Sequence, residues 1–131
     1  PGNIFNQEIL LSDEINEFLS CGGKIQIRSV LIQGLLTIDP SLIPSNMQKT
    51  EKGISYFQNI AKELAINKVH LAILCIHYLV PNAEIIIGID NTMQIKDLLS
   101  INKSNIKNSD IKEILKVCKL FSGEHWDPRN W

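Results

Sequence analysis

The sequence predicts an α/β chain: a partial parallel sheet covered by helices, which amounts to one piece of a larger barrel. Three observations lead there. The elements run helix, strand, helix pair, strand, helix, helix, the βα rhythm of a parallel sheet. One strand candidate is a nearly continuous apolar run and the other turns wholly apolar after an alternating start, as strands that enter a buried interior do. Two or three such strands leave open edges that need partners, so further strands are expected outside this segment.

Glu8 to Leu19 places Ile9, Leu10, Leu11, Ile15, Phe18 and Leu19 on a helical stripe, and Cys21-Gly22-Gly23 supplies a left-handed stop. Lys24 to Ile32 alternates at first and then turns wholly apolar, a strand entering a crowded interior, closed by Gly34. Asn3 to Phe5 reads as the frayed end of a third strand. The prolines and turn formers of Thr37 to Ser45 make a loop longer than the usual βα connection. Glu51 to Leu64 is a helix with Ile54, Phe57, Ile60, Ala61 and Leu64 on one face. Asn67 caps a third helix, Lys68 to Leu79, apolar over most of its surface and therefore packed on both sides. Pro81-Asn82 ends it, Ala83 to Ile87 is a strand, and Met93 to Ser100 is the next helix. Ser109 is the expected cap of a last helix to Leu120, followed by a tail pinned by Trp126 and Trp131.

With 131 residues the chain is one domain's worth, read here as a single segment, 1–131. A net charge of −1 with mixed signs offers no footprint for nucleic acid or an anionic membrane. Cys21, Cys75 and Cys118 are odd in number and far apart, which fits reduced cytoplasmic thiols rather than a disulfide framework or a zinc site. No apolar run approaches the roughly 20 residues that span a bilayer. The chain starts at Pro1 without an initiator methionine, so truncation at the N-terminus is expected.

The most informative stretch is Glu84 through Leu98, where an apolar strand ends at Gly88 and a polar turn opens a helix. Such a junction aims free backbone N–H groups at one point, where a phosphate fits. Arg28 stands out because only it and Arg129 are arginines. Together with Arg28-Ser29-Val30-Leu31-Ile32-Gln33-Gly34-Leu35-Leu36 and Val69-His70-Leu71-Ala72-Ile73-Leu74, this junction resembles the last two βα units of the aldo/keto reductases, NAD(P)H-dependent (β/α)8 barrels. The resemblance covers nearly the whole chain. It implies the C-terminal part of a TIM barrel, and a parent enzyme that transfers hydride from NADP or NAD to a small carbonyl substrate.

Carried over by position, Arg28 lies beside the nicotinamide, and Ser29 with the backbone of Leu31 and Gly34 contacts the pyrophosphate. Gly88, Asp90, Asn91 and Gln94 line the adenosine ribose, and Asp97 reaches the adenosine side. Asp90 and Gln94 depart from the basic or hydroxyl residues of many relatives, which leaves NADP and NAD both open, and Leu98 replaces a common adenine-contacting asparagine. No segment matches the family's catalytic aspartate, tyrosine, lysine and histidine, so no catalytic residue is assigned here. The chain alone is expected to be inactive. Its sheet would be completed by the missing N-terminal half or by a second copy. The alternative function is a non-catalytic binding or regulatory module on a half-barrel scaffold.

Other candidates have plainer readings. His70 and His77, seven apart on one helix with Cys75 between them, could face two ligands the same way, but no third ligand is near and packing is the simpler role. No metal site is assigned. His125 with Trp126 lies in a tail that borders the substrate pocket in the resembled family. Cys21, at a helix C-terminus, is a poor nucleophile, and neither Tyr56 nor Tyr78 has a proton donor's neighbours.

Overall fold

Among the described residues, two short segments form a sheet. They are β1 (Gln26–Ile27) and β2 (Glu84–Ile85), paired in parallel with Gln26 opposite Glu84 and Ile27 opposite Ile85. The computed structural model describes residues 1–103, 106–127 and 129; of the tail, Trp131 lies outside the described residues. Glu84 N–H donates to Ile25 O and Ile86 N–H to Ile27 O, each at 2.9 Å. Around this pair stand α1 (Asp13–Ser20), α2 (Glu51–Glu63), α3 (Lys68–Leu79), α4 (Thr92–Leu99) and α5 (Asn108–Leu120).

The barrel-half expectation is corrected here. The structure is 59% helical, and its sheet consists of two strands of two residues each. The reason lies in where the apolar runs go. After Ile27 the chain turns at Ser29, and Val30, Ile32, Leu35 and Leu36 bury themselves in successive tight turns against the helices. A short apolar run satisfies a buried strand and a buried turn equally well, so periodicity does not separate them. After Ile85, Ile86 and Ile89 face outward. Asn3 to Phe5 is a turn rather than a third strand: Asn3 Oδ1 accepts from both Phe5 N–H and Asn6 N–H at 3.0 Å.

The helices follow their sequence signals with local exceptions. Ser12 accepts from Ile15 N–H and starts α1, so Ile9–Leu11 is a separate 3-10 turn. Asn67 Oδ1 accepts from Val69 N–H at 2.8 Å and caps α3. Ser109 is not the cap of α5, which begins one residue earlier, and its hydroxyl donates to Asp110. α3 buries Leu71, Ala72, Leu74, Cys75 and Ile76 and packs against both α2 and α5. A mostly apolar helix is thereby covered on both sides. No helix is long and apolar enough to cross a membrane among the described residues.

The two ends of the described chain meet over α2. Trp126, fully buried, stacks on Phe5 with ring centroids 3.9 Å apart and planes 19° from parallel, while Phe121 meets Phe5 edge-on at 6.3 Å. Asn3 Nδ2 donates to Trp126 O at 3.0 Å, and Gln7 Nε2 reaches Leu115 O at 2.9 Å. Gly53 makes room for the stack, because a Cβ there would lie 2.7 Å from Trp126 Cζ2 and 3.1 Å from Phe5 Cε1.

Gly53→Ala should lower stability by about 1–2 kcal/mol in urea unfolding; helix propensity alone would raise it by ~1 kcal/mol, and a stabilised variant would refute the close approach. Burial pushes the Cys75 thiol from an ordinary value near 9 up to about 12. The folded state therefore keeps a proton that the unfolded state releases. That contribution is complete below pH 9 and is lost as pH rises toward 12. In the native protein a thiol reagent should label Cys21, which is exposed, well before the buried Cys75 and Cys118.

Candidate functional site

Where β1 ends, the backbone enters the left-handed region repeatedly: Ser29 at φ 65°, Ile32 and Gln33 at 53°, Gly34 at 87°. Glycine takes this conformation freely, but for a β-branched residue such as Ile32 it is strained by roughly 1–3 kcal/mol. Burial of the Ile32 side chain and two polar props hold the segment in place. Gln58 Nε2 on α2 donates to Leu36 O at 2.9 Å and Ile38 O at 2.8 Å, and Lys68 Nζ on α3 donates to Thr37 O at 2.6 Å. Opposite, the chain after β2 runs from Ile86 to Asp90 and into α4. Between these two segments lies a cleft of about 540 Å³.

Arg28, Ser29, Leu31 and Gly34 from the first segment line this cleft together with Gly88, Asp90, Gln94 and Asp97 from the second. Asn91 is the exception. Its Oδ1 accepts from Met93 N–H and Gln94 N–H at 3.0 Å, and Gln94 Oε1 accepts from Asp90 N–H at 2.6 Å. Asn91 and Gln94 thus engage the N–H groups of Asp90, Met93 and Gln94, three of the donors that a phosphate at the start of α4 would meet.

Sequence reasoning did not single out Gln33 and Thr37, at and just after the left-handed turn, or Val69 in the first turn of α3, all of which line the cleft. Leu98 lines it as an apolar wall. Charge is sparse: Arg28 is exposed and makes no ion pair among the described residues, while Asp90 and Asp97 carry the negative charge. A second residue behind the wall was read only as packing. His70 on α3 brings Nε2 to 3.2 Å from Asp97 Oδ2, and Asn67 Nδ2 donates to the same oxygen at 3.3 Å. The signal available in the sequence was the N-cap at Asn67 followed by a histidine one turn on.

A second cavity, about 740 Å³, opens beside Phe5, Glu8, Gly123 and Arg129. Its arginine is engaged: Arg129 Nε donates to both Asp127 carboxylate oxygens, at 3.0 and 2.9 Å. Those hydrogen bonds hold the Asp127 carboxyl at about 2, below its ordinary value. This cavity therefore lacks the free guanidinium that the first one has. His125 borders Trp126 with ring centroids at 5.3 Å, and desolvation, with Lys49 nearby, lowers its pKa. His77 Nε2 lies 2.6 Å from Lys103 Nζ, so the two α3 histidines serve different neighbours. Among the described residues no group of His, Cys, Asp and Glu converges to hold a metal ion.

No family model, no curated protein and no solved structure matches the chain.

Asn91→Ala should cost roughly 1 kcal/mol locally by removing the cap. Because α4 buries no residue, the loss should appear as faster amide hydrogen exchange at Met93 and Gln94 with the global melting transition unchanged. Equal exchange in the variant and the parent would refute the cap.

Proposed function

We propose that the cleft between the ends of β1 and β2 binds a pyridine dinucleotide, and that the protein serves an aldo/keto-reductase-like hydride transfer to a small carbonyl substrate. One observation supports this most. Residues assigned to a common cofactor from two stretches nearly sixty positions apart, Arg28 to Gly34 and Gly88 to Asp97, line one cleft. Arg28 is its free cation, able to stack on a ring or pair with a pyrophosphate oxygen. The apolar walls of Leu31, Val69 and Leu98 suit the faces of flat rings.

Charge favours NAD over NADP. A 2′-phosphate placed between Asp90 and Asp97 would meet carboxylates, whereas a free 2′-hydroxyl can donate to one of them. The described lining holds no tyrosine, lysine or histidine, so the proton donor comes from residues outside the cleft. That same observation favours a second function, a cofactor-binding module without chemistry. The cysteines are all unpaired, which suits the cytoplasm.

Titration of NADH by its fluorescence should give saturable binding, with NADPH weaker by about tenfold, a difference of ~1.4 kcal/mol. Arg28→Ala should weaken both by a similar factor, from loss of one charge-assisted contact. If neither cofactor binds at millimolar concentration, the cleft is not a dinucleotide site. Cofactor binding with no NADH oxidation across a panel of aldehydes and ketones would select the module without chemistry.

A further inference from the structure

α4 carries Asp90's neighbour Asn91 at its cap and Asp97 on the cleft wall, yet none of its residues is buried. Met93 and Leu99 stand largely in solvent and only Leu98 among its apolar residues is half-buried, so apolar packing does little to fix the helix. Polar contacts from the first turn of α3 add to it. Asn67 is bound at both ends of its amide: Oδ1 accepts from Val69 N–H, and Nδ2 donates to Asp97 Oδ2. One turn on, the His70 side chain is only 12% exposed, and its Nε2 approaches that same oxygen at 3.2 Å. It is not aligned there for a hydrogen bond, and it is a buried polar side-chain atom without one among the described residues.

A buried nitrogen left without a hydrogen bond is rare enough to need a reason. Here it faces a carboxylate that is 45% exposed and lines the cleft. Asn67 donates to Oδ2 and His70 Nε2 stands near the same oxygen, while no described residue donates to Oδ1. Asp97 is thus gripped from behind and open in front. We propose that His70 is a positioning residue which, with Asn67, holds Asp97 so that Oδ1 accepts a ribose hydroxyl, making the cleft selective for an unphosphorylated adenosine ribose.

The proposal rests on the dinucleotide function given above. A hydroxyl donating to Oδ1 would fix the carboxylate plane and let Oδ2 settle into line with His70 Nε2, so the orphaned nitrogen gains its partner when ligand binds. A 2′-phosphate offers no proton there and brings like charge. Selectivity then depends on a residue that does not line the cleft. A purely structural His70 would affect stability and leave the choice between ligands untouched.

The experiment measures the ratio of NADPH to NADH dissociation constants for the parent chain and for His70→Leu, His70→Gln and Asp97→Asn, with melting temperatures alongside. His70→Leu should reduce the ratio about fivefold, mostly by weakening NADH. His70→Gln, which keeps a donor of similar reach, should stay within about twofold of the parent. Asp97→Asn lies on a helix that buries no residue, so it should fold, and it should reduce the ratio at least as much as His70→Leu, with Asp90 keeping the remaining charge. A parent-like ratio in His70→Leu or in Asp97→Asn overturns the proposal while leaving dinucleotide binding intact. If the parent chain binds neither cofactor, the underlying function falls first and takes this inference with it.

Discussion

The Phe5 and Trp126 rings, stacked at 3.9 Å, need a bare backbone beneath them, and Gly53 on α2 supplies it. That contact closes the two ends of the described chain over α2. It ties residues more than a hundred positions apart, and Asn3 and Gln7 add hydrogen bonds to Trp126 O and Leu115 O across the same junction. Each of those amides is buried and satisfied, so the ends are held in one register rather than merely collapsed together. With the ends fixed, α2 presents its other faces to α3 and α5, and the apolar side chains of α3 are buried between them.

The cleft is what remains when this helical core meets a sheet too short to cover it. β1 and β2 share only two registered pairs, after which one strand end coils into left-handed turns and the other runs out toward solvent. Strain at Ser29, Ile32 and Gln33 is not relieved because Gln58 and Lys68 clamp the carbonyls that follow. Held strain of this kind is concentrated where a protein preserves a shape for a ligand. The opposite wall is built differently: α4 caps itself and hangs on Asp97, gripped by the first turn of α3. One wall is thus held through buried packing and the other through polar contacts.

Several features were legible in the residues because their causes are local. Asn67 announces the start of α3 and the apolar length of Lys68 to Leu79 announces its burial, since a short polar side chain before an apolar run leaves few alternatives. The pairing of residues near Arg28 with residues near Gly88 was also legible, as two glycine-closed apolar runs. The reciprocal cap of Asn91 and Gln94 was not foreseen, because the same residues that open a helix toward a ligand can fold back upon it, and spacing is identical in both cases.

The sequence by itself determined where the helices lie, which runs are apolar and which polar residues flank Gly34 and Gly88, since propensity, capping and periodicity act within a few residues. Only the tertiary structure decided that Val30 to Leu36 is a buried turn rather than a strand, and that Asn3 to Phe5 is not sheet at all. It alone brought His70 and Asn67 onto Asp97. Those outcomes depend on which surfaces meet. An apolar residue records only that it must be buried, and long-range packing around the Phe5 and Trp126 stack chooses the backbone that buries it.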